Sequence, residues 1–151
     1  MKPQEFISFA GHAAARMVHT PDCATIRTVA SRAYYGAFHL AIAFLAGLAC
    51  APAADGHGTI RHLVEASGTL DGQELANLRL DMHRDRLKAD YDLSNTAIET
   101  YRFAQLSVET AVDFNIQLNT FKQSCDDPVI RQSVIDAIRA YCDKMKIPLR
   151  N

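Results

Sequence analysis

The stretch LANLRLDMHRDRLKADY, residues 75–91, sets the terms on which the rest of the chain has to be read. On a helix advancing about 100° per residue, Arg79, His83, Arg86 and Asp90 fall on one line. Leu75, Leu78, Met82 and Ala89 run along one flank of that line, and Ala76, Leu80, Leu87 and Tyr91 along the other. Asn77, Asp81, Arg84, Asp85 and Lys88 gather on the opposite, solvated face. A polar line framed by two apolar ones is expected to point into the fold or into a partner, where unpaired charge is expensive. It is either an internally paired network or a functional site, and the sequence leaves both readings open.

Outward from this helix, the remaining segments also carry helical periodicity. Pro3 suits a first helical turn, and Phe6, Ile7, Ala10, Ala13, Ala14 and Met17 recur at helical spacing until Thr20-Pro21. Thr20 as N-cap and Pro21 at the first position predict a second helix running to about Leu48. It is apolar nearly all round, which makes it a central helix. Its one unusual line carries Thr28, Arg32, Gly36, His39 and Ala43. The small residues there would admit a neighbouring backbone, and Arg32 is expected to meet Asp90, either within a subunit or across a dimer interface.

Pro52, Gly56 and Gly58 mark a loop, followed by a short helix from Thr59 to about Ala66; His57 and His62 there are expected at the surface. Asp71 is the expected N-cap of the organising helix. Thr96-x-x-Glu99 reads as a capping box opening a helix to about Lys122. Its apolar faces would comprise Ile98, Tyr101, Phe103, Leu106, Val108, Val112, Ile116 and Leu118. Asp127-Pro128 starts a last helix that ends before Pro148. Nothing reads as a strand, so the expected fold is an all-α, up-and-down bundle of five or six helices. Residues 1–124 would form the main helical domain, with 125–151 a terminal helix packed on it.

With 151 residues the chain can bury one substantial core. Its net charge of −1 provides no broad basic field, so any nucleic-acid contact would have to be local. The four cysteines show neither CxxC nor Cys/His zinc spacing, and the first residues lack the apolar core of a signal peptide. Ala37–Ala54 is apolar but contains His39, Gly47 and Pro52, which favours a buried helix over a membrane span. The expectation is a cytoplasmic protein with no metal, no cofactor and no membrane partner.

Ser31-Arg32-Ala33-Tyr34-Tyr35-Gly36-Ala37-Phe38-His39, then His57-Gly58, then Arg86-Leu87-Lys88-Ala89-Asp90-Tyr91-Asp92 together resemble the small standalone HEPN proteins. These are bacterial and archaeal helical domains often encoded beside minimal nucleotidyltransferases. The likeness covers residues from about 5 to 120, and the helix after Asp127 lies outside it. It implies a helical core that commonly forms a homodimer. For active members it implies a metal-independent ribonuclease, in which an Arg holds the scissile phosphate and a His acts as acid or base while the RNA 2′-hydroxyl attacks.

This chain departs from that pattern. Arg32 and His39 have the family's spacing but stand on the earlier helix, with Ala33 after the Arg. Arg79 and His83 are closer together than the family pair, and Ala89-Asp90-Tyr91 stands where a His would follow Arg86. The candidate catalytic residues are therefore Arg32, His39, Arg79 and His83. Arg86 is the candidate for RNA phosphate, and Asp90 and Tyr91 form an orienting or structural pair. The expected role is RNA-directed, as a ribonuclease or a degenerate RNA-binding relative in a toxin–antitoxin or defence system. The alternatives are a non-catalytic dimerisation or partner-binding module, which a nucleotidyltransferase would suit as partner, and a nucleotide-binding pocket.

Overall fold

A computed structural model describes residues 2–17, 22–54 and 56–150. Among them the chain is all-α, with helices α1 (Pro3–Arg16), α2 (Cys23–Gly47), α3 (His57–Glu65), α4 (Leu70–Tyr91), α5 (Tyr101–Ser124) and α6 (Pro128–Met145). A 3-10 turn at Thr96–Ile98 precedes α5, and the described residues contain no strand beyond one isolated bridge between Pro52 and Leu149. None of the described helices is long and apolar enough to cross a membrane.

The helix starts show where local chemistry differs from the sequence reading. Thr20 and Pro21 lie outside the described residues. Asp22 performs the capping function for α2, its carboxylate accepting the Thr25 backbone N–H at 2.8 Å and the Thr25 hydroxyl at 2.6 Å. For α4 the cap is Thr69, whose Oγ1 accepts the Gly72 N–H at 3.0 Å, and Asp71 sits inside the first turn. Gly72 is required there, because a Cβ would lie 2.0 Å from Ser67 Oγ and 2.6 Å from the Val64 carbonyl. The expected Thr96/Glu99 capping box does not form. Thr100 caps α5 by accepting the Phe103 N–H, and Glu99 pairs with Arg27. Asp127 caps α6 as expected, accepting from Val129 and Ile130.

The chain divides into two compact units. The first comprises the residues up to Ala37 together with Leu78–Phe114. Here α1 lies close on α2 at Gly36, where a Cβ would stand 2.5 Å from the Ile7 side chain. Ala30, Ala89 and Ile98 form a small buried cluster with Phe103 against it. The second unit comprises Phe38–Asn77 and the residues from Asn115 onward. Its core includes Leu45, Ile60, Leu63, Leu75, Leu118 and Ile138, with the Phe44 and Phe121 rings 5.0 Å apart.

The apolar face of α5 differs from the sequence reading. The buried positions are Ala104, Ser107, Ala111, Phe114, Leu118 and Phe121, with Cys125 continuing the line just past the helix, while Tyr101, Leu106, Val112 and Ile116 are exposed. Alternate steps of three and four place small residues inward in the N-terminal half, which lets neighbouring helices approach. Of the apolar residues expected there, Ile98 and Leu118 are buried and Phe103 packs on a buried cluster, whereas the small inward residues carry no hydrophobic signal of their own.

Candidate polar site on the α4 helix

The second half of α4 belongs to the first unit and brings the polar line into contact with two tyrosines of α2. Leu75, Met82 and Ala89 on one flank are buried, as is Ala76 on the other, whereas that second flank opens toward its C-terminal end, with Leu87 39 % and Tyr91 68 % exposed. The line thus sits at the edge of a packed surface.

Arg79 is 2 % exposed and the bulkiest fully buried side chain. Its guanidinium donates to the Tyr34 hydroxyl at 3.1 Å and lies 5.8 Å from that ring's centroid. Tyr34 is itself completely buried, and burial raises its pKa to about 12 against the opposing pull of Arg79 and Arg86. The phenol therefore stays protonated and neutral, an oxygen acceptor for a buried cation. The His83 ring packs on Tyr34 at 5.3 Å.

Arg86 is 8 % exposed and more heavily engaged. Its Nε stands 2.6 Å from Asp90 Oδ2, and its Nη2 donates to the hydroxyls of Tyr35 at 2.9 Å and Tyr91 at 3.1 Å. Its guanidinium carbon also lies 5.4 Å from the Tyr35 ring centroid and 4.9 Å from that of Tyr91. Burial opposes its charge, but the Tyr91 hydrogen bond and the Tyr35 and Asp90 fields outweigh it, so its pKa is raised. Asp90 Oδ2 also accepts from the Ser31 hydroxyl at 3.4 Å.

Within the subunit the expected Arg32–Asp90 ion pair is not formed. Asp90 is taken by Arg86 one helical turn away, and Arg32 is exposed with its guanidinium 5.9 Å from the Phe6 ring centroid. Arg79, His83, Arg86, Asp90 and Tyr91 are thus gathered with Tyr34 and Tyr35, and Arg32 lies on the same unit's surface. His39 belongs to the second unit, edge-on to Phe38 at 5.3 Å; Phe38 in turn packs on His57 at 4.6 Å. His57 is therefore half-buried, whereas His62 is exposed as expected.

Arg27 was not marked by its sequence pattern. It is 8 % exposed, pairs with Glu99 at 2.9 Å, and donates to the carbonyls of Lys88, Ala89, Asp92 and Asn95 at 3.0 to 3.1 Å. It thereby ties the last turn of α4 to the loop that follows, adding a charged donor to carbonyls of both. The one available signal was Glu99, which also fits a capping box.

No family model matches the chain, and neither a curated protein nor a solved structure matches it.

Proposed function

We propose that this chain is a HEPN-like helical module that binds rather than cuts, in an RNA-directed toxin–antitoxin or defence setting. The observation that carries this reading is the engagement of Arg86 by Asp90, Tyr35 and Tyr91. An arginine that clamps a scissile phosphate must offer its donor fork to solvent and then to substrate. Arg86 offers that fork to its own fold, and Arg79 is deeper still. The residues that resemble the family motif on α4 therefore act as a frame. The exposed Leu87 and Tyr91 beside that frame suit a protein partner, either a second copy or a nucleotidyltransferase.

One observation favours cleavage as the second reading. Arg32 is exposed, and no carboxylate of the described residues stands within ion-pair distance of it. The test is incubation of a mixed RNA pool with purified protein in excess EDTA, beside folded His39→Ala and His83→Ala variants. The binding reading predicts no cleavage by wild type and, in at least one variant, altered stability or self-association. Metal-independent cleavage by wild type that disappears in one folded variant would replace it with the ribonuclease reading and identify the histidine.

A further inference from the structure

Between the end of α1 and the start of α2 the first unit carries an open cavity of about 600 Å³, a volume typical of small-molecule sites. One wall is a single face of α1, where Phe9, His12, Ala13 and Arg16 recur at three- and four-residue spacing, continued by Met17. Asp22 and Thr25 form the other wall. Phe9 leaves 52 % of its surface open beside the buried Met17, which gives the cavity an apolar floor.

The charges around that floor are of both signs and are held apart. Arg16 is exposed and has no hydrogen bond or ion pair with any described residue. Asp22 accepts the Thr25 N–H on one carboxylate oxygen and the Thr25 hydroxyl on the other, and it makes no ion pair among the described residues. The Thr25 hydroxyl, followed by its N–H, lowers the Asp22 pKa and keeps the carboxylate charged. A carboxylate has about four acceptor sites, so each oxygen keeps one for a ligand. A cation and an anion that line one apolar cavity without meeting each other are complementary to a ligand that carries both charges.

We infer that this cavity binds a free α-amino acid with a large apolar side chain, its carboxylate on Arg16, its ammonium on Asp22 and its side chain against Phe9, Ala13 and Met17. The planar donor fork of arginine suits a carboxylate, and His12, one helical turn earlier, stands beside it. A ligand with one charge leaves the opposite charge of the cavity unmatched, and a small amino acid leaves the apolar floor wet. The site goes beyond the binding-module reading and involves neither RNA nor a partner protein.

The experiment is titration of the isotope-labelled full chain, followed by the NMR shifts of its backbone amides. L-phenylalanine and L-leucine should give saturable shifts centred on residues 9–17 and 22–25, with a dissociation constant on the order of a millimolar or tighter. Glycine, 3-phenylpropionate and phenethylamine should each bind at least about tenfold more weakly, the effect of losing a charged hydrogen bond or the apolar contact. Two exposed positions make the test specific. Asp22→Asn retains a capping side chain and should weaken L-phenylalanine by about tenfold or more while leaving 3-phenylpropionate no weaker. Arg16→Gln should weaken L-phenylalanine similarly and leave phenethylamine no weaker. Absence of saturable shifts with L-phenylalanine well above millimolar concentration overturns the inference. So does a single-charge analogue that binds as tightly as the amino acid, or an affinity unchanged in either variant. RNA cleavage and self-association are separate readouts, so its failure leaves the binding-module reading standing.

Discussion

Arg86 and Arg27 show how one residue type solves the same problem in two ways. Each is 8 % exposed. Arg86 is held by a carboxylate and two phenol hydroxyls, Arg27 by a carboxylate and four backbone carbonyls. The planar fork of arginine makes both arrangements feasible, and a lysine at either place would leave acceptors unmet. Glu99 supplies a titratable consequence. The Cys23 thiol and the Arg27 guanidinium both favour its carboxylate form and lower its pKa. A lowered acid pKa contributes stability that is present above the unfolded value, about 4.3, and disappears as the pH falls through the folded value. Wild type should therefore exceed Glu99→Gln in urea midpoint at pH 7, with the gap narrowing on acidification below about pH 4.3. A gap that stays constant down to acid pH would show that Glu99 acts through packing alone.

The elements were more legible than their ends. All six helices follow from apolar periodicity and from the breaks at Thr20-Pro21, at Pro52 and before Pro128, because those signals repeat or are chemically unambiguous. Caps rest on a single hydrogen bond, and several Ser, Thr or Asp residues within a few positions can make it. Asp71 was the expected cap of α4 and Thr96 that of α5, but Thr69 and Thr100, a few positions away, make the bonds, and tertiary neighbours decide the outcome. At α4 the deciding neighbour is the Val64–Ser67 segment, which leaves room for Gly72 alone. Thr69→Ala and Thr100→Ala should each cost about 1 kcal/mol in denaturant unfolding, whereas Asp71→Ala and Thr96→Ala should stay within about 0.5 kcal/mol. Equal losses at Thr69 and Asp71 would contradict the capping assignment.

At the scale of the whole molecule, the polar line was readable as a line, but its meaning was not. Spacing alone places Arg79, His83, Arg86 and Asp90 together, and it predicts that they need partners. It does not say that the partners are phenols, since Tyr34 and Tyr35 read equally well as core aromatics, and Tyr34 is in fact both. Spacing allows Asp90 to pair with Arg86 on its own helix as readily as with Arg32, and the structure makes the former pair, which leaves Arg32 at the rim of a cleft. On the proposed reading the α4 line is a structural frame built on Arg79–Tyr34 and Arg86–Tyr35 contacts. The most direct test is a double-mutant cycle in urea unfolding with Arg79→Leu, Tyr34→Phe and the double variant. A buried cation and the hydroxyl that receives it should be coupled by about 1 kcal/mol or more, the double variant losing less than the sum of the singles. Additivity within about 0.5 kcal/mol would mean that Arg79 does not depend on Tyr34, and the frame would lose its central member.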